Sequence, residues 1–148
     1  SGCEILIDSM GVQGVHIQAD RTDIKRVLKS LIENAVKFTS GSGTVTAIAE
    51  VIDEQVVFTI SDTGIGIDPR YQRRIFEKFF QVEDPLTRHH GGAGLGLFVA
   101  QGIIEAHGSR IEVTSELGFG ASFRFALPVF EEVVTGDDAC AETPSATR

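Results

Sequence analysis

Over residues 20–38 the apolar side chains Ile24, Val27, Leu28, Leu31, Ile32, Ala35 and Phe38 return every three or four positions, the spacing of one face of an amphipathic helix, with Asp20 placed to cap its first turn. A stripe of that kind cannot be buried by the helix itself, so the chain must supply a second layer to cover it. The rest of the sequence changes period. Residues 4–8 and 15–18 read as strands separated by a glycine-bearing turn, and the β-rich runs 44–51 and 56–61, parted by the polar Asp53, Glu54 and Gln55, read as a hairpin. Near the end, runs 110–115 and 121–127 alternate, with Phe123, Phe125 and Leu127 on one face and a turn at Gly118 to Gly120. Between these sheet segments lie a short helical piece from Pro69 to Phe80, a polar loop over 81–92 and a second helix over 95–107, closed by Gly108 as its C′ glycine. Helices and strands do not alternate strictly. The expected fold is therefore α+β, a two-layer sandwich of a mixed sheet with helices on one face, rather than a doubly wound parallel sheet.

The chain of 148 residues is long enough for one self-sufficient core. A single domain over 1–130 is expected, followed by a disordered acidic tail over 131–148, where Glu131, Glu132, Asp137, Asp138 and Glu142 occur without an apolar period. The formal net charge of −8 argues against a nucleic-acid partner, because phosphate-backbone affinity requires clustered Lys and Arg. Cys3 and Cys140 lie near opposite ends and give neither a disulfide framework nor a metal-ligand spacing, which points to a reducing, cytoplasmic setting. No apolar run approaches a membrane span, so no direct membrane contact is expected, although a longer parent could be tethered through parts outside this chain.

Three segments carry chemistry. Ser30, Asn34 and Lys37 fall at i, i+4 and i+7 on the first helix and form a polar stripe beside its buried face. An amide oxygen suits Mg²⁺ and an ammonium suits phosphate, while a merely solvated helix face has the same pattern. The run DTGIGI places Asp62 at the end of a hydrophobic strand with Gly64 and Gly66 just beyond it. Such glycines let a flat ligand lie against backbone, and a carboxylate there can accept from the exocyclic amine of adenine but repels the carbonyl of guanine; a plain tight turn is the alternative. In HHGGAGLGLF the glycines 91, 92, 94 and 96 lead directly into a helix, where exposed amides form an anion site. The spacing is neither GxGxxG nor a Walker motif. A hinge for a mobile loop is compatible with the same glycines.

Taken in order, NAVKFT (34–39), DTGIGI (62–67), IFEKFF (75–80), GGAGLGL (91–97) and GFGASF (118–123) resemble the N, G1, F, G2 and G3 boxes of sensor histidine kinase catalytic domains, over about residues 15–128. The resemblance implies the Bergerat ATP-binding fold shared with gyrase, Hsp90 and MutL, with ATP and Mg²⁺ as cofactors. It implies that Asn34 holds Mg²⁺, that Lys37 contacts phosphate and that Phe38 lines the nucleotide. Asp62 would read adenine, with Gly64, Gly66 and Ile67 around the base. Gly92, Gly94, Leu95, Gly96 and Leu97 would surround the phosphates, beneath a lid over 81–91 in which Arg88 is a candidate phosphate ligand. Phe76, Phe79 and Phe80 resemble the F box, though their i, i+3, i+4 spacing also serves core packing.

The chain departs from that pattern in two places. Ser30 stands where the family commonly has a second Asn and where the gyrase-like relatives have a water-activating Glu; as a poor general base it speaks against an autonomous ATP hydrolase. Gln81 stands where many members have an Arg. None of the four histidines lies in a phosphoacceptor-like context: His89 and His90 read as lid surface, and His107 as a helix C-terminal residue. The implied partners are therefore a dimeric helical phosphoacceptor domain of the same parent kinase and, downstream, a response regulator receiver domain, with the isolated domain a monomer.

Overall fold

A computed structural model describes residues 3–39, 42–80 and 95–130. Seven regular elements are found in it: β1 (Glu4–Asp8), α1 (Arg21–Phe38), β2 (Thr44–Ile52), β3 (Gln55–Asp62), α2 (Gly96–Ala106), β4 (Glu112–Ser115) and β5 (Ala121–Pro128). The strands form one mixed sheet in the order β1-β2-β3-β5-β4, in which only the β1–β2 pair is parallel. This is the expected α+β sandwich.

Strand register explains why one face of the sheet is covered. Val45 pairs with Asp62, Ala47 with Ile60, and Ile60 in turn with Phe123, so these residues share a face with Phe125 and Leu127. The opposite face carries Thr44, Thr46, Thr59, Ser61, Ser122 and Arg124, hydroxyls and charge that water can satisfy, interspersed with Ile48, Val57 and Ala126, of which Val57 is buried. The large apolar side chains nevertheless concentrate on the first face, where the helices pack. Val27, Leu31 and Ala35 of α1 and Ile104 of α2 are fully buried with Val45 and Phe123 in one core. Truncating a side chain such as Leu31 to Ala there would remove about 2–5 kcal/mol of stability.

Both helices end through identifiable local chemistry. The Asp20 carboxylate accepts from the Asp23 amide at 3.0 Å, capping α1. Gly108, at φ +80°, ends α2: the Ser109 amide donates to the Ile104 carbonyl and the Gly108 amide to that of Glu105, a Schellman arrangement that needs a left-handed residue. The His107 ring Nδ1 lies 2.8 Å from the Ile103 carbonyl, a structural contact in the last turn.

Five expectations on local structure are corrected. Residues 15–18 form no strand, only an isolated bridge between Ile17 and Val129. The helical piece after Pro69 is broken into two 3-10 turns, Pro69–Tyr71 and Arg74–Phe76. Within that piece Phe76 packs edge-on against Phe123 and Phe80 against Tyr71, whereas Phe79, at φ +67°, is exposed. The fourth strand begins at Glu112 rather than 110, because the Gln101 side chain takes both the N–H and the C=O of Ile111, at 2.9 and 3.1 Å. Helix α2 runs one residue shorter at each end than its glycine flanks suggest. The tail over 131–148 and the lid over 81–91 lie outside the described residues.

Candidate nucleotide-binding site

The polar flank of α1, the loop after β3 and the first turn of α2 converge. Ser30 lies on the side of α1 that faces α2: a Cβ built at Gly96 would sit 3.8 Å from its hydroxyl oxygen, and Asn34 and Lys37 follow at i+4 and i+7. The Asn34 amide is half-buried and makes no side-chain hydrogen bond among the described residues. The Lys37 ammonium lies 5.5 Å from the Phe38 ring centroid.

Asp62 ends β3 and is buried, with 7% of its surface exposed. Removal from water raises its carboxyl above the ordinary value, and the N–H groups of Gly64 and Ala121, which hydrogen-bond to it, oppose that rise. The Gly64 amide reaches Oδ1 at 2.8 Å. A carboxylate held near the site's interior by two backbone donors keeps lone pairs for a third, external donor.

Backbone contacts fix the loop from Thr63 to Ile67 on two sides. The Ile65 amide donates to the Phe38 carbonyl at 3.2 Å, tying the loop to the end of α1. On the other side the Gly118 amide donates to the Ile65 carbonyl at 2.7 Å. Gly66, at φ +75°, is packed so closely that an added Cβ would lie 2.2 Å from the Glu116 carbonyl oxygen. The approach of the β4–β5 turn therefore requires glycine at 66.

Residues that sequence reasoning did not single out complete this frame. Ser115 accepts from the Ile67 amide at 2.8 Å and donates to the Gly120 carbonyl at 2.7 Å. Gln72 donates to the carbonyls of both Ile67 and Ser115. The available signal for Ser115 was a hydroxyl at an inward position of an alternating strand, opposite Ala121. Gln72 carried no comparable signal, since its partners are set only by the fold.

Helix α2 begins after Leu95, which supplies no side-chain cap. Its first amides therefore lack acceptors within the helix, and the Gly96 position has no side chain to obstruct approach. Within this first turn Gly96 lies beside Ser30 of α1. Arg88, Gly92 and Gly94 lie outside the described residues. No group of three or more His, Cys, Asp or Glu capable of holding a metal occurs among the described residues. Asn34 fits the sparing protein ligation Mg²⁺ uses when phosphates provide most of the remaining contacts. A separate groove of about 740 Å³ between Phe76, Phe98 and Arg110 shares with this frame the bracing residue Gln72, and includes neither Asp62 nor Ser30, Asn34 and Lys37 of α1.

Residues 19–131 match the family model described as histidine kinase-, DNA gyrase B-, and HSP90-like ATPase. The chain is 38% identical over 111 residues to the circadian input-output histidine kinase CikA of Synechococcus elongatus, covering 75% of this chain and 15% of that protein. It is 37% identical over 116 residues to the sensor histidine kinase RppB of Synechocystis, covering 78% and 26%. Among solved structures, the catalytic domain of histidine kinase ThkA superimposes with a TM-score of 0.72 at 28% identity, over 86% of this chain and 79% of that one. Full-length ShkA in complex with AMPPNP gives 0.73 at 37% identity, over 86% and 26%. The chain spans about a seventh to a quarter of the length of these curated relatives. It belongs to the histidine kinase-, DNA gyrase B- and HSP90-like ATPase family, and within it is an ATP-binding domain of the sensor histidine kinase kind.

Proposed function

We propose that the chain binds MgATP and donates the γ-phosphate to a histidine on a separate dimeric helical domain of the same parent kinase, in two-component signal transduction that passes the phosphate on to a response regulator receiver domain. The observation that carries this reading is the buried Asp62 carboxylate at the end of β3, whose loop is tied to the end of α1 through the Ile65 amide and the Phe38 carbonyl. Asn34 and Lys37 of α1, and the start of α2 beside Ser30, supply groups suited to metal and phosphate.

In this reading Asp62 accepts from the exocyclic amine of adenine, and Gly64, Gly66 and Ile67 form the wall behind the base. Phe38 lines the nucleotide, Lys37 faces phosphate oxygen, and the amides at Leu95, Gly96 and Leu97 meet the phosphates with Gly92, Gly94 and Arg88. Asn34 holds the metal, which when bound neutralises charge across the triphosphate. Phosphoryl transfer needs positioning and charge neutralisation more than covalent help, so these residues are sufficient for the donor half of the reaction. The acceptor imidazole lies elsewhere. Ser30 at the hydrolase position supports transfer rather than autonomous hydrolysis.

The test mixes the chain with the helical domain of its parent in trans and MgATP. An acid-labile phosphohistidine on the helical domain is expected. Phosphoserine, or rapid phosphate release without transfer, would instead select a serine kinase or ATPase of the same fold, and absence of nucleotide binding would select a degenerate interaction module.

A further inference from the structure

The two edges of the sheet are treated differently. At β4 the edge is four residues long, and its entrance is closed where the Gln101 amide pairs with the N–H and C=O of Ile111 as a neighbouring strand would. At β1 no such closure exists among the described residues. All five residues Glu4–Asp8 are exposed, and their pairing with β2 runs without a bulge from Glu4 opposite Thr44 to Asp8 opposite Ile48. The edge carries no Pro and no Lys, two common devices against strand pairing.

Backbone direction shows what that edge offers. The Glu4 amide donates inward to the Gly43 carbonyl at 3.0 Å. Because backbone groups alternate along a strand, Glu4, Leu6 and Asp8 face β2, and Ile5 and Ile7 present N–H and C=O outward. Apolar surface is exposed on both sides of the strand: Ile5 at 48% and Ile7 at 72% on the helix-bearing face, and Leu6 at 47% on the other. A docked helix would cover one face only. An added strand lies beside both.

We propose that the outer edge of β1 is a strand-addition site, filled by an extended segment of alternating apolar residues with Lys or Arg opposite Glu4 and Asp8, carried outside residues 1–148 on the same polypeptide. Charge selects that occupant. A second copy pairing antiparallel about Leu6 would set Glu4 against Asp8 twice, and like charges directly opposite destabilise. The acidic segment 131–142 has the wrong sign for the same reason. Length selects the tether: five residues span about 17 Å and cannot supply the roughly 1,200 Å² of a stable separate complex, whereas a tether gives effective concentrations of about millimolar. Relatives of which this chain covers 15% and 26% carry ample further chain.

The test is hydrogen–deuterium exchange at residues 4–8 in the 148-residue chain and in the polypeptide bearing its natural flanking sequence, at two protein concentrations. The Ile5 and Ile7 amides should exchange about tenfold or more slowly in the longer polypeptide, independent of concentration. Ile7→Pro removes one outward donor without touching the β2 ladder. It should restore fast exchange at Ile5 in the longer polypeptide and leave exchange at Leu6, bonded to β2, unchanged in both. Equal exchange at Ile5 and Ile7 in the two lengths would overturn the proposal, as would protection that appears only at high concentration, which would mean pairing between copies.

Discussion

The carbonyl oxygen of Phe38 occupies the space that a side chain at Gly64 would need: a Cβ built at Gly64 falls 2.0 Å from it. The end of α1 and the loop carrying the adenine-reading candidate are therefore in backbone contact, and neither can shift without the other. Gly64→Ala should lower stability in urea by about 1–3 kcal/mol through forced backbone displacement. It should also weaken nucleotide binding, since it moves Asp62 and Phe38 apart. An unchanged urea midpoint would show that the loop yields freely.

Asp62 makes stability and binding oppose each other. Its carboxyl is raised in the folded protein, chiefly by burial, so the folded state holds the proton more tightly than the unfolded state does. The sign follows: the cost of the buried charge is present above the raised folded value and is relieved as pH falls toward the ordinary value of 3.8. Asp62→Asn should thus be at least as stable as the parent chain at pH 7 without ligand, with the difference shrinking as the medium is acidified. Adenine-nucleotide affinity of the parent chain should fall over that same descent. Thermal melts and titrations across pH check both.

Gln101 bonds both backbone groups of Ile111, and Ile111 is 2% exposed. Gln101→Leu preserves volume yet leaves a buried donor and acceptor unpaired, for a loss of about 2–4 kcal/mol. Gln101→Glu keeps the bond from the Ile111 N–H but sets a carboxylate oxygen against the Ile111 carbonyl, so it should be destabilised at pH 7 and recover on acidification, when the protonated carboxyl can donate. A loss independent of pH would indicate packing rather than the clasp.

The β2–β3 turn places Asp53 at φ +52° and Glu54 at φ +64°, a conformation that Asn-Gly adopts readily and Glu does not. Glu54→Gly should stabilise the chain by about 0.5–1 kcal/mol, because relief of strain outweighs the added freedom of the unfolded chain. The amide of Val129 donates to the Glu54 carbonyl at 3.0 Å, a bond the substitution retains.

These cases show where sequence reading succeeds. The stripe from Ile24 to Phe38 and the alternation of Phe123, Phe125 and Leu127 were legible because a helix and a one-sided sheet each impose a period on the residues they bury. Asp62 was legible as a lone acid at a strand end before glycines. Residues 15–18 misled because β propensity says nothing about whether a partner strand is in reach. The hairpin turn at Asp53–Glu54 was legible as a polar break between two β-rich runs, whereas the Gln101 clasp and the Ser115–Gln72 brace left no local trace, since each depends on groups distant in the chain. Of the nucleotide candidates, Gly96 lies beside Ser30 of α1, and the Asp62–Ile67 loop is tied to Phe38 at the end of α1, while Gly66 also packs closely against the Glu116 carbonyl.

The most direct measurement is calorimetric titration of the chain and its Asp62→Asn variant with MgATP and MgGTP. The parent chain should prefer MgATP, and the variant should lose about 1–3 kcal/mol of MgATP affinity, roughly five- to 150-fold, as the charged hydrogen bond to the base is removed. Equal MgATP binding by the two proteins, or no preference for adenine in the parent chain, would contradict the role given to Asp62.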